Sequence, residues 1–181
     1  MDPENVLKSE IFRPIVITIV PGMVLLTPYL YVAGYFHSDL FNPLDKYQVL
    51  ALAFMLGLAI AAGYIAENIG SQIEHIFWER VKNEDDEDRW TEYLNSTVIK
   101  NCLADGYIKD LVLRMKFENS FAVSLFAFWI GYTWLYNLDV VTNLKTYAFG
   151  SLALWGFISY LLWESCCSVK LLRDTRNKVK C

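Results

Sequence analysis

The sequence predicts an all-α, polytopic membrane protein with four transmembrane helices, a long second helix projecting into the cytoplasm and a short helical cytoplasmic segment. Three observations predict it. First, 55% of the 181 residues are hydrophobic, the mean hydropathy is +0.27, and the apolar residues fall in blocks rather than being spread as in a soluble domain. Second, four blocks approach the roughly 20 residues that a helix needs to cross a bilayer. Third, fourteen of the sixteen Lys and Arg residues fall on one side of those blocks, leaving only Lys46 and Lys145 on the other.

The chain reads as one membrane domain, residues 1–181, with spans at 14–36, 47–69, 118–137 and 146–166. In the first span Pro21 and Pro28 lie seven residues apart, on nearly one face. Each removes a backbone donor and crowds the preceding turn, which predicts an irregular helix. Thr18 and Thr27 are placed to serve the freed carbonyls. No small-residue cleavage site follows, so the span is expected to be retained.

Residues 57–82 organise the rest. The stretch begins apolar, carries Ala59, Gly63, Ala66 and Gly70, and then admits Glu67, Glu74 and His75 with no Pro to break it. A helix over 47–82 would be about 54 Å long at 1.5 Å per residue. That exceeds the ~30 Å hydrocarbon core, so its end should project into water.

Residues 80–117 form the cytoplasmic helical insertion. It opens on Glu84, Asp85, Asp86, Glu87 and Asp88, followed by Trp90 and Tyr93 at helical spacing. Gly106 interrupts the pattern, which predicts two short helices with a turn at Ala104–Gly106. The acidic run reads as a solvated, helix-starting segment, since carboxylates favour a helix N-terminus, or, with its two aromatics, as the docking segment for a cytosolic protein partner. The tail, 168–181, is basic. With four spans, the Lys and Arg count places both termini in the cytoplasm and the chain in the inner (plasma) membrane as a multi-pass protein.

The chemistry expected is sparse. Glu67 and Glu74 lie about 20° apart around a helix, with Gly63 and Gly70 on the same face. A charge turned toward lipid is costly, so this face points into protein or water. It reads as a helix-packing face, where small residues admit a neighbour, or as the wall of a cation path. Glu118 and Glu164 fall at similar depth, and His75 and Glu79 are i,i+4 neighbours. These four form a possible polar cluster; alternatively the acids pair with Arg80, Arg114 or Lys116 at the interface.

No cofactor and no metal are expected. The four Cys lack CxxC spacing, and the two His residues are too few for a di-iron site. No HExxH, G-x-S-x-G or P-loop motif occurs. Cys166 and Cys167, at the end of the fourth span, read as reduced packing residues or as acylation sites. A net charge of −4 gives no basic field for nucleic acid.

In layout the chain resembles the small four-span membrane components of bacterial antiphage systems, such as the membrane subunit of Kiwa or the membrane accessory of type VI-B CRISPR loci. The resemblance covers the whole chain as arrangement: four spans, cytoplasmic termini and one central charged segment. It carries over no residue roles. It implies an oligomer that disturbs the membrane, or anchors a cytosolic partner, during infection. The expected function is therefore a non-enzymatic homo-oligomeric scaffold or anchor in the lipid bilayer. The alternatives are a cation channel lined by Glu67 and Glu74, and a membrane enzyme of unknown type.

Overall fold

The computed structural model describes residues 15–36, 47–81, 103–138, 140 and 143–178. They form four α-helices: α1 (Val20–Phe36), α2 (Gln48–Val81), α3 (Leu103–Asn137) and α4 (Leu144–Lys178). A π-helical turn, Ile15–Ile19, leads directly into α1. Pro21 explains it. Without an N–H, Pro21 cannot bond the carbonyl four residues back, and a widened turn relieves the crowding. Pro28 lies inside α1, and the neighbouring Thr27 hydroxyl donates to the Met23 carbonyl at 2.8 Å.

Three helical stretches are long and apolar enough to cross a membrane: Ile17–Phe36, Gln48–Phe77 and Leu144–Thr175. α3 is not among them. Arg114, Lys116 and Glu118 lie near its middle, and its apolar half is rich in Trp and Tyr. Its position in the bundle accounts for this composition. α3 packs on α4 most extensively, and also on α1 and α2, whereas α2 touches α4 only slightly. Shielded on three sides, α3 does not have to present a lipophilic surface all round.

α3 and α4 run antiparallel and meet along their whole length. Near the loop that joins them, Tyr147 stacks between Tyr132 and Tyr136. Phe126 and Trp129 then meet Trp155, and Phe121 meets Phe157. α4 starts cleanly because Asn143 caps it, its side-chain oxygen accepting from the Lys145 amide at 3.0 Å.

Two apolar clusters hold the pair. One joins Ile108, Leu111 and Met115 to Val169 and Leu172, with Phe77 of α2 against it. The other joins Ala122 and Leu125 to Ile158 and Leu161, with Val24 of α1 against it. Between them lies a buried polar layer: Glu118, Asn119, Ser120, Ser165 and Ser168.

α1 and α2 approach through glycine. A Cβ on Gly63 would overlap the Thr18 carbonyl, and a Cβ on Gly22 would overlap the carbonyl of Ala59. Side chains elsewhere on α2 and α4 turn outward, Leu52, Phe54, Ile65, Phe149, Leu152 and Trp163 among them. This is the distribution expected where lipid replaces water around the bundle.

The turn expected at Ala104–Gly106 is absent. α3 begins at Leu103 and runs unbroken to Asn137. The first-turn amides of a helix have no intrahelical partners anyway, so a glycine costs little there. Ile108 and Leu111 then fix the following turns against α4. α2, as expected, continues as one helix through Glu67, Glu74 and His75 to Val81. Its 34 residues make it about 51 Å long.

Candidate functional site

The polar layer is built around α3. Its residues 114–120 form two helical turns facing α4 on one side and α2 on the other. The α4 side brings two carboxylates to one cation, and the α2 side sets a cation against Glu67.

On the α4 side, Arg114 donates from Nε to Glu118 Oε1 at 2.8 Å and from Nη2 to Glu164 Oε1. The i,i+4 spacing of Arg114 and Glu118 puts them on one face. The planar guanidinium then reaches the second helix with its other edge. Glu118 is buried, and its second oxygen accepts from the Ser168 hydroxyl at 3.5 Å. The bond to Glu118 raises the Arg114 pKa above its ordinary value, with Glu164 acting in the same sense. The cation is permanent at any physiological pH.

On the α2 side, Lys116 Nζ lies 3.8 Å from Glu67 Oε1 and also acts electrostatically on Glu74. Gly70 stands between the two acids. A Cβ there would lie 3.0 Å from the Ser120 amide nitrogen and 3.3 Å from the Asn119 Cβ. α3 therefore presses residues 119–120 into the notch that Gly70 leaves. Asn119 is fully buried, and neither its carboxamide oxygen nor its nitrogen has a hydrogen-bond partner. Ser120 and Ser124 satisfy their own hydroxyls by donating to carbonyls one turn back, at 2.7 and 3.0 Å. Ser165, on α4, is fully buried with an unpartnered hydroxyl.

The predicted residues thus separate. Gly63, Glu67, Gly70 and Glu74 do share a face, and that face is occupied within the chain: Gly63 by the turn before α1, Glu67 and Gly70 by α3. Glu118 and Glu164 come together through Arg114, on the opposite side of α3 from Glu67. His75 is exposed, and Glu79 lies in the last turns of α2. Glu84, Asp85, Asp86, Glu87, Asp88, Trp90 and Tyr93 lie outside the described residues. Among the described residues, no three His, Cys, Asp or Glu side chains converge as a metal site. Cys166 and Cys167 are free thiols, half-buried in α4.

Sequence reasoning missed Asn119, Ser165 and Ser168. The available signal was Asn119 beside Glu118 and the pair Ser165 and Ser168 beside Glu164, polar residues clustering near the two acids that the sequence places at similar depth.

Comparison with known protein families, with curated proteins and with solved structures returns no match for this chain.

Proposed function

We propose that the chain is a four-span inner-membrane protein with both termini in the cytoplasm, acting as a non-enzymatic, homo-oligomeric scaffold or anchor for a cytosolic partner. The observation that carries this reading is the bracing of the polar layer. Arg114 ties two carboxylates across α3 and α4, Lys116 ties α3 to α2, and glycine contacts lock α1 onto α2. Charges spent on each other inside one chain make a rigid platform, and apolar outer faces on α2 and α4 are left for lipid or further copies. The pairing of α3 with α4 along its whole length supports a fourth span, since the two helices share every depth.

The partner segment is 82–102, which joins α2 to α3. Deleting 84–100 leaves α3 whole, whereas a longer deletion would remove Ile108 and Leu111 from the apolar cluster with Val169. The expected outcome is loss of a co-purifying cytosolic protein, with membrane insertion intact. Recovery of the same partner from the deleted form would sink the anchor reading. The layout shared with antiphage membrane components makes infected bacteria the first place to look for that partner.

One observation favours a second reading, an ion path. Asn119 and Ser165 leave buried polar atoms unsatisfied, and such atoms ordinarily hold water. The ion-path reading predicts that Glu67→Gln and Glu74→Gln change cation conductance in liposomes. Unchanged conductance counts against it.

A further inference from the structure

Along one side of their contact, α3 and α4 leave an open groove with matching walls. α3 contributes Arg114, Phe117 and Phe121; α4 contributes Phe157, Tyr160 and Glu164. Both sets follow the three-then-four spacing that keeps residues on one helix face. Because the helices are antiparallel, the charged ends meet, Arg114 Nη2 donating to Glu164 Oε1. The aromatic ends meet too, with the Phe121 and Phe157 ring centroids 6.2 Å apart. Phe117 stacks on Phe121 at 5.3 Å, Phe157 on Tyr160 at 6.4 Å, and Trp163 stands 6.2 Å beyond Tyr160. Phe157, Tyr160, Trp163 and the Arg114 side chain all remain exposed, so the groove is not closed over. Its charged end keeps bonding capacity of both signs. Arg114 uses Nε and one Nη2 hydrogen on the two acids, and its other N–H groups have no partner among the described residues. Glu164 uses Oε1 and keeps Oε2.

We infer that the groove binds one zwitterionic phospholipid of the cytoplasmic leaflet whose head carries a primary ammonium, a phosphatidylethanolamine. Its phosphate meets the outer N–H groups of Arg114. Its ammonium meets Glu164 Oε2 and the rings of Tyr160 and Trp163. An acyl chain lies along Phe157, Phe121 and Phe117. Depth agrees: Leu144 to Trp163 measures about 29 Å at 1.5 Å per residue, one hydrocarbon thickness. On the four-span reading the charged end therefore lies at the cytoplasmic headgroup level, where Trp and Tyr are favoured. The head class follows from the pair of charges. A purely anionic head gains the arginine contact but meets the Glu164 carboxylate with nothing to offer it. A quaternary ammonium keeps the ring contacts but has no N–H for Oε2. This lipid site rests on the four-span platform reading and deepens it by giving the platform a specific lipid partner.

The test is native mass spectrometry of the full-length protein released from detergent micelles doped with phosphatidylethanolamine, phosphatidylglycerol or phosphatidylcholine of identical acyl chains. The expected result is one phosphatidylethanolamine retained per chain, with an affinity about tenfold above that of the other two. Glu164→Gln keeps an oxygen for Arg114 but removes the charge that holds the ammonium, so it should bring the three lipids to near parity. Tyr160→Leu, at an exposed position, should weaken phosphatidylethanolamine and leave phosphatidylglycerol unchanged. A variant that only loosened packing would weaken all three lipids alike. Equal retention of the three lipids by the native chain overturns the site. So does a selectivity that survives Glu164→Gln or, where that variant does not fold, Tyr160→Leu. Reporter fusions read the crossings separately: a four-span pattern without lipid selectivity strikes the lipid site alone, whereas a pattern in which α3 does not cross strikes the reading beneath it.

Discussion

Arg114 shows how one side chain sets the character of the polar layer. More than half of its side chain is exposed, at 55%, while Glu118 beneath it is only 6% exposed. The guanidinium thus covers a buried carboxylate from the solvent side and reaches α4 as well. Arg114→Ala would leave Glu118 buried and unpaired beside Glu164, an arrangement of like charges in reduced dielectric. A loss of about 2 kcal/mol is expected, discounted for the exposure of the arginine. Arg114→Lys should recover little of it, because an ammonium lacks the planar fork that serves two carboxylates at once. Arg114→Ala with Glu118→Gln should recover a substantial part, because the stranded charge is gone. Thermal unfolding of these three variants with the wild type and the single Glu118→Gln variant checks this, and strict additivity of Arg114→Ala and Glu118→Gln would show that the pair is not coupled. The i,i+4 spacing of Arg114 and Glu118 was legible in the sequence. The shared depth of Glu118 and Glu164, with Arg114 and Lys116 among their candidate partners, was legible too; which cation meets which acid was not, because periodicity reports on one helix face and not on what packs against it. The burial of Asn119 was not legible for the same reason. A single Asn between Glu118 and Ser120 looks like interface polarity until Gly70 is seen pressed against it.

At the scale of the helices, glycine decides which faces meet. Gly63 and Gly57 lie in the same apolar stretch of α2 and are alike in sequence, yet their surroundings differ. A methyl group at Gly63 would strike the Thr18 carbonyl and its Cγ2, whereas nothing lies within 4 Å of a Cβ at Gly57. Gly63→Ala should therefore separate α1 from α2 and lower stability by about 2–3 kcal/mol, as overpacking against a rigid backbone does. Gly57→Ala should be neutral or stabilising by up to ~1 kcal/mol through helix propensity. The two variants compared in one unfolding series test the packing of α1 on α2; equal tolerance at both positions would show that α1 does not pack there. The small-residue face of α2 was readable from spacing. Its occupants, the turn before α1 and residues 119–120 of α3, were not, since small residues announce a close approach without naming who approaches. The opposite error occurred at Gly106. Local chemistry predicted a break, and packing of Ile108, Leu111 and Met115 on α4 carried the helix through. The uninterrupted course of α2 was legible because no proline or turn residue opposes it.

For the molecule as a whole, the question is how many times the chain crosses the bilayer. Composition alone marks three helices, and three crossings would put the ends on opposite sides. The charge distribution argues for an even number, because the positive-inside bias places the N-terminal residues, 80–117 and the tail together. The packing of α3 bears on the question. It lies against α1, α2 and α4, and its contacts with α4 continue from Ile108 through Phe121 and Phe126 to Tyr136. If α4 crosses while α3 does not, the Trp and Tyr face of α4 that α3 covers would lose its partner and Glu164 its arginine. A polar-seamed helix is costly in lipid on its own but tolerable inside a bundle that answers its polar groups. The four-span reading predicts that alkaline phosphatase inserted near residue 40 or residue 141 is active in the periplasm. Inserted near residue 90 or after residue 178 it should be inactive, with a fluorescent cytoplasmic reporter giving the reverse pattern. Reporters near 90 and 141 that face the same side would mean that α3 does not cross, and the α3–α4 pairing would then have to form outside the hydrocarbon. Glu67 adds a check within the same experiment. With four spans its carboxylate meets Lys116 from a helix crossing the other way. Glu67→Lys would put two ammonium groups in the seam and so disfavour insertion of α2 with α3 as a pair. Reversing both charges, Glu67→Lys with Lys116→Glu, should restore the native reporter pattern, because the seam then holds an ion pair again whichever helix supplies the cation.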